Sequence, residues 1–81
     1  MSHEPAEIYL NRIDPSQNMA RFYTLYIQPN LFGGSSLIRE WGRIGTRGQH
    51  KIVLYEDIET AQRAKARLER SKRRRGYQTA C

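Results

Sequence analysis

The side chains best suited to chemistry in this sequence are one tryptophan set between arginines and a dense run of cations near the end of the chain. If residues 37–44 form a strand, side chains alternate, so Leu37, Arg39, Trp41 and Arg43 share one face and Ile38, Glu40, Gly42 and Ile44 the other. An indole flanked by two guanidinium groups can stack on a base or sugar while its neighbours hold phosphate. The same residues also fit a core anchor whose rim is lined by arginines, the usual fate of a large indole. Gly42 leaves the opposite face bare beside Trp41, which weakens a strand unless another backbone or a ligand comes close there. Gly45, Thr46, Arg47 and Gly48 then read as a turn, with Arg47 as a further cation at its tip.

The net charge of +6 is concentrated at one place. Residues 63–75 carry eight basic side chains against Glu69, a local +7, and the rest of the chain sums to −1. Within that segment Arg63, Arg67, Arg70 and Arg74 follow at spacings of four, three and four, a single line along a helix. A solvated face is one account of such a run. Mixed charge would serve solubility better than one sign, however, and a one-signed line points to phosphate contact. Lys72 to Arg75 extend the cations to the helix end, where they also suit the dipole. A polyanionic partner is therefore expected, with nucleic acid ahead of acidic lipid or protein.

Other chemistries find little support. Cys81 is the one cysteine, so no intrachain disulfide forms, and neither His3 nor His50 has a partner at metal-ligand spacing. Glu40, Glu56, Asp57 and Glu59 are not spaced as a metal cluster, and no histidine stands beside a nucleophile motif. The Gly45–Gly48 segment is no phosphate loop, because no lysine follows it in the required place. The expectation is a protein without catalysis, metal or cofactor. No apolar run approaches the ~20 residues of a membrane span and the N-terminus lacks a signal-peptide pattern, so a cytoplasmic protein with no membrane association is expected.

The elements that must position these residues are few. At 81 residues, 38% hydrophobic and 27% charged, the chain makes one small domain. Residues 1–7 read as a flexible N-terminus, residues 8–78 as the domain and residues 79–81 as a tail. Residues 8–13 alternate as a strand with Ile8, Leu10 and Arg12 on one face, and Asp14-Pro15-Ser16-Gln17-Asn18 turns the chain. Residues 21–28 give the clearest strand, with Tyr23, Leu25 and Ile27 facing one way and Phe22, Thr24 and Tyr26 the other. Pro29 to Ser35 is a loop whose apolar Leu31 and Phe32 either fold back over the core edge or form a partner-binding tip. After the tryptophan strand, residues 49–55 make a fourth, completing a meander. Asp57 predicts a helix cap, with helix over residues 58–72 and an apolar stripe of Ile58, Ala61, Ala64 and Leu68. Gly76 stops the helix, and Tyr77 either packs back or offers a stacking platform. The fold class is α+β: a small antiparallel sheet of about four strands with one basic C-terminal helix packed against it.

The run Glu40-Trp41-Gly42-Arg43-Ile44-Gly45, preceded by Phe22-Tyr23 and followed by Gly48-Gln49 and a basic helix, closely resembles the WGR domain over about residues 20–78. The chain looks like a short stand-alone bacterial member, similar to the WGR domain of poly(ADP-ribose) polymerases that respond to DNA breaks. The resemblance implies a nucleic-acid-binding role, DNA favoured over RNA, with ends or breaks as the preferred feature. It nominates Trp41 and Arg43 for the strand-end contact and Lys72, or a neighbour, for backbone phosphate. Nothing in these 81 residues is long enough for a polymerase domain, so the family's relay from DNA to other domains has no partner within this chain. The candidate binding set is thus Arg39, Trp41, Gly42, Arg43, Arg47, Arg63, Arg67, Arg70, Lys72 and Arg74. The alternative function is a protein-interaction module within a nucleoprotein complex.

Overall fold

The computed structural model describes residues 7–30 and 33–80. Its elements run β1 (Glu7–Asp14), β2 (Met19–Pro29), β3 (Ser35–Arg43), β4 (Gln49–Tyr55), α1 (Ile58–Arg74) and β5 (Gln78–Thr79). All strand pairs are antiparallel and the sheet order is β4-β3-β2-β1-β5. The fold class is the expected α+β meander under one helix. The register aligns Leu10 with Tyr23, Tyr23 with Trp41, and Leu25 with Arg39, so the even-numbered face of β1 coincides with the odd-numbered faces of β2 and β3. Leu10, Tyr23, Leu25 and Leu37 are buried on that common face, with Ala64 and Tyr77 closing over them. Burying each leucine contributes about 1.5–3 kcal/mol, the main return available to so small a core.

Helix α1 crosses this face because its contacting residues are small. Ala61 and Ala64 are buried and Leu68 packs partly against the core, whereas Ile58, expected in the same stripe, starts the helix off the edge strand and is 49% exposed. Asp57 caps it as expected, accepting from the Thr60 amide at 2.7 Å, and that bond holds the Asp57 carboxyl below its usual pKa. The helix extends two residues past the expected end, through Arg73 and Arg74, cations suited to its C-terminal dipole.

A fifth strand joins the four expected. Past Gly76, Tyr77 buries its ring in the core and so draws Gln78 and Thr79 alongside the free edge of β1, opposite Asn11 and Leu10. The Ala80 amide donates to the Tyr9 carbonyl at 2.9 Å. Two residues show no periodicity; the packing of Tyr77 and the bond that Arg73 Nη2 donates to Thr79 Oγ1 at 2.8 Å hold this strand in place. At the other loops, Asp14 accepts from the Ser16 amide at 3.1 Å to start a 3-10 turn, and Asn18 closes it in the left-handed region at φ 51°. The tip residues Leu31 and Phe32 lie outside the described residues. The face bearing Phe22, Thr24 and Tyr26 is not covered by the helix, and Tyr9, Ile13, Ile52 and Leu54 stand exposed on that side. Among the described residues no helix is long and apolar enough to cross a membrane.

Candidate nucleic-acid interface

Trp41 stands opposite Tyr23 in the β2–β3 register, which turns its indole to the helix side of the sheet. The two ring centroids are 6.5 Å apart at 38°, and Tyr77 meets the same Tyr23 ring edge-on at 6.1 Å. Trp41 thus leans on the core with one edge and stays half-buried. Its other side lines an open cleft of about 480 Å³ shared with Arg21, Gly42, Arg43, Lys72 and Tyr77. The core-anchor reading describes one side of this indole, and its other side is open. The Arg39 guanidinium lies 5.4 Å from the indole centroid, a cation–π contact along the strand.

The cations that line the cleft come from three elements, Arg21 from β2, Arg43 from β3 and Lys72 from α1, and Arg12 of β1 stands beside Arg21. Arg12, Arg21 and Arg43 are successive partners across β1, β2 and β3, a transverse row of three guanidinium groups on the helix side. Like charges directly opposite one another destabilise a sheet, so such a row carries a cost in the free chain. Arg43 is steered by Asn18: its Nη1 donates to the Asn18 carbonyl at 3.2 Å and its Nη2 to Asn18 Oδ1 at 3.3 Å. Lys72 reaches in from α1, its Nζ 4.6 Å from the Tyr23 centroid and 5.6 Å from that of Tyr77. Burial, then repulsion from Arg75, Arg39 and Arg21, pushes the Lys72 pKa below the ordinary lysine value, and the two ring faces offset part of that cost. Among the described residues no carboxylate lines the cleft.

Gly42 and Gly48 fix where the strand ends. A Cβ on Gly42 would lie 2.6 Å from the Gly48 Cα and 3.4 Å from the Phe22 ring, so here it is another backbone that needs the bare face. The hairpin folds flat onto β3, and Thr46 secures it by donating through its amide and hydroxyl to the Arg43 carbonyl at 3.0 and 2.7 Å.

Of the sequence-nominated set, Trp41, Gly42, Arg43 and Lys72 meet in the cleft, with Arg39 stacked beside them. Arg67 joins Arg39 along a neighbouring groove of about 220 Å³ between α1 and β3–β4. Arg47 in the turn and Arg63, Arg70 and Arg74 on the helix are exposed and do not line the Trp41 cleft. Within α1, Glu69 pairs with Arg73 at 2.9 Å, and among the described residues the other helix cations have no salt bridge. Arg21, Arg12 and Tyr77 were not nominated. Carrying the alternation one step back from Tyr23 and across to the Arg12 face would have found the two arginines; Tyr77, expected either to pack back or to offer a stacking platform, packs back into the core and also lines the cleft. Among the described residues no three His, Cys, Asp or Glu side chains gather to hold a metal.

The profile of the WGR domain matches residues 6–81. This chain belongs to the WGR domain family. The WGR chain is similar to the uncharacterized protein y4dW of Sinorhizobium fredii (strain NBRC 101917 / NGR234), with 49% identity over 77 residues, 95% of this chain but 38% of that relative. The WGR chain therefore spans about two fifths of that relative's length. No solved structure gives a significant match. Membership of the WGR family is consistent with a nucleic-acid-binding module.

Proposed function

We propose that this WGR protein is a non-catalytic DNA-binding module that favours free ends or breaks. The observation that carries the reading is the shared cleft: an accessible indole side with Arg21, Arg43 and Lys72 converging on it and no carboxylate among its lining residues. In this reading Trp41 stacks on a terminal base or sugar, and Arg43, held by Asn18, takes the adjacent phosphate. Lys72 and Arg21 complete the anion site, while Arg39, Arg67 and the exposed helix arginines set register on the backbone without reading sequence. Further support comes from charge placement: Arg12, Arg21, Arg39, Arg43 and Lys51, all the strand Lys and Arg residues, alternate to the helix side. Weak sequence preference follows, because contacts made by strand side chains and to phosphates carry little sequence information. A chain with one cysteine, at its last position, supports a reducing, cytoplasmic setting.

The test is a titration of Trp41 fluorescence with duplexes of equal length that are blunt, nicked or closed by hairpins, and with single-stranded DNA and RNA, at two salt concentrations. Quenching that is strongest where a free end or nick is present is expected, with a log–log salt slope of about −4 if ~5 phosphates are neutralised. Absence of binding to every substrate in low salt would overturn the proposal.

A further inference from the structure

Among the described residues, edge strand β4 has β3 on one side and no strand on the other. Edges are normally blunted by charges, proline or bulges, because unpaired amides and carbonyls recruit other strands. The sequence of β4 is Gln-His-Lys-Ile-Val-Leu-Tyr, with one formal charge and no proline or glycine. Two of its apolar side chains are widely exposed, Ile52 at 53% and Leu54 at 68%. A long, apolar, β-branched edge of this kind is costly in a free monomer.

We propose that β4 pairs antiparallel with β4 of a second copy of this chain, joining two sheets through a two-fold axis at Ile52. The sequence is self-complementary in that register. All seven residues find a partner: Ile52 opposes its own copy, Leu54 opposes His50, Lys51 opposes Val53 and Gln49 opposes Tyr55. No like charges meet. Sliding the axis to Lys51 would set that lysine against itself, an opposed like-charge pair. Stacking the two open faces instead would enclose Glu7 and Glu40, the formal charges on the strands of that face. Edge pairing leaves both carboxylates in solvent and aligns the exposed Ile52 and Leu54 along one continuous surface. The contact is isologous and closed, so it stops at a dimer.

An axis normal to the sheet keeps both helices, and both Trp41 clefts, on one side. From the strand spacing and rise, the two indoles stand roughly 25 Å apart in register. The proposal does not depend on what the clefts bind, and its test contains no nucleic acid.

Sedimentation velocity of the full chain over a wide concentration range is expected to show a shift to twice the monomer mass. Ile52→Lys and, separately, Leu54→Lys, both solvent-facing and each checked for an unchanged far-ultraviolet spectrum, are expected to lose it. In a Cys81→Ser background, Ile52→Cys is expected to form a disulfide dimer on mild oxidation and Tyr55→Cys is not. A monomer at every concentration would overturn the proposal, as would a dimer that both lysine variants leave intact, cross-linking at Tyr55 instead of Ile52, or open-ended oligomers.

Discussion

A Cβ placed on Gly48 would sit 2.8 Å from the carbonyl carbon of Trp41 and 2.9 Å from the Phe22 ring, so the turn after the tryptophan is packed directly against the tryptophan's own peptide. Gly48 is also held at φ +69°, in the left-handed region. Gly48→Ala must therefore displace the hairpin or the strand and is expected to cost about 2–3 kcal/mol in urea denaturation. Gly45→Ala, at φ +95° but with open space around it, carries only the backbone penalty of about 1–2 kcal/mol. The difference between the two variants isolates the close approach from the conformation.

In the proposed binding mode the row Arg12–Arg21–Arg43 sets stability against binding. Arg21 is its centre, paired with Arg12 on one side and Arg43 on the other. Arg21→Gln removes both like-charge contacts and is expected to raise stability by a few tenths of a kcal/mol at low salt. The same change is expected to weaken nucleic-acid binding and to reduce the log–log salt slope by about 0.9, the share of one phosphate contact. Urea denaturation and a salt-dependent titration of one protein preparation measure both. A row without a binding role would show the first effect and not the second.

The strands and helix were legible because each carries its own periodicity. Residues 49–55 alternate cleanly and match β4 end to end, and Asp57 two residues later marks the helix start that is found. The edges of the longer strands were not legible, since Met19, Ala20 and Ser35 have no pattern of their own and pair only because a neighbour is present. The strand β5 was missed for the same reason. In the site, Trp41, Arg43 and Lys72 stood out by residue type and by resemblance, but Arg21 and Tyr77 join them only through register and the reversal after Gly76. Ile58 was misplaced because helical periodicity says which side a residue is on and not how far the sheet extends beneath it.

Tyr23 carries a hydroxyl that is buried and finds no hydrogen-bond partner among the described residues. Its ring is useful, supporting Trp41, Tyr77 and Lys72, but the oxygen has lost water and gained nothing. Tyr23→Phe keeps the ring and removes the orphaned group, so it is expected to stabilise the fold by about 1 kcal/mol. Chemical denaturation of the two proteins in parallel decides the sign. A loss of stability would mean that the hydroxyl has a partner in solution.

In the proposed complex Lys72 makes binding and stability depend on pH in opposite directions. Burial first, and then Arg75, Arg39 and Arg21, lower its pKa from the ordinary 10.5. Between the lowered value and 10.5 the unfolded chain holds a proton at this site more firmly than the folded one, so the contribution of Lys72 to stability rises with pH through that window. A phosphate in the cleft favours the ammonium, so complex formation takes up a proton there, and affinity falls as pH climbs through the same window. Tyrosine ionisation overlaps this range, and comparison with Lys72→Arg removes it, because a guanidinium stays charged throughout. The wild type is expected to lose affinity at lower pH than Lys72→Arg while gaining stability relative to it. Parallel pH curves for the two proteins, in binding or in unfolding, would show that this lysine does not titrate in the cleft.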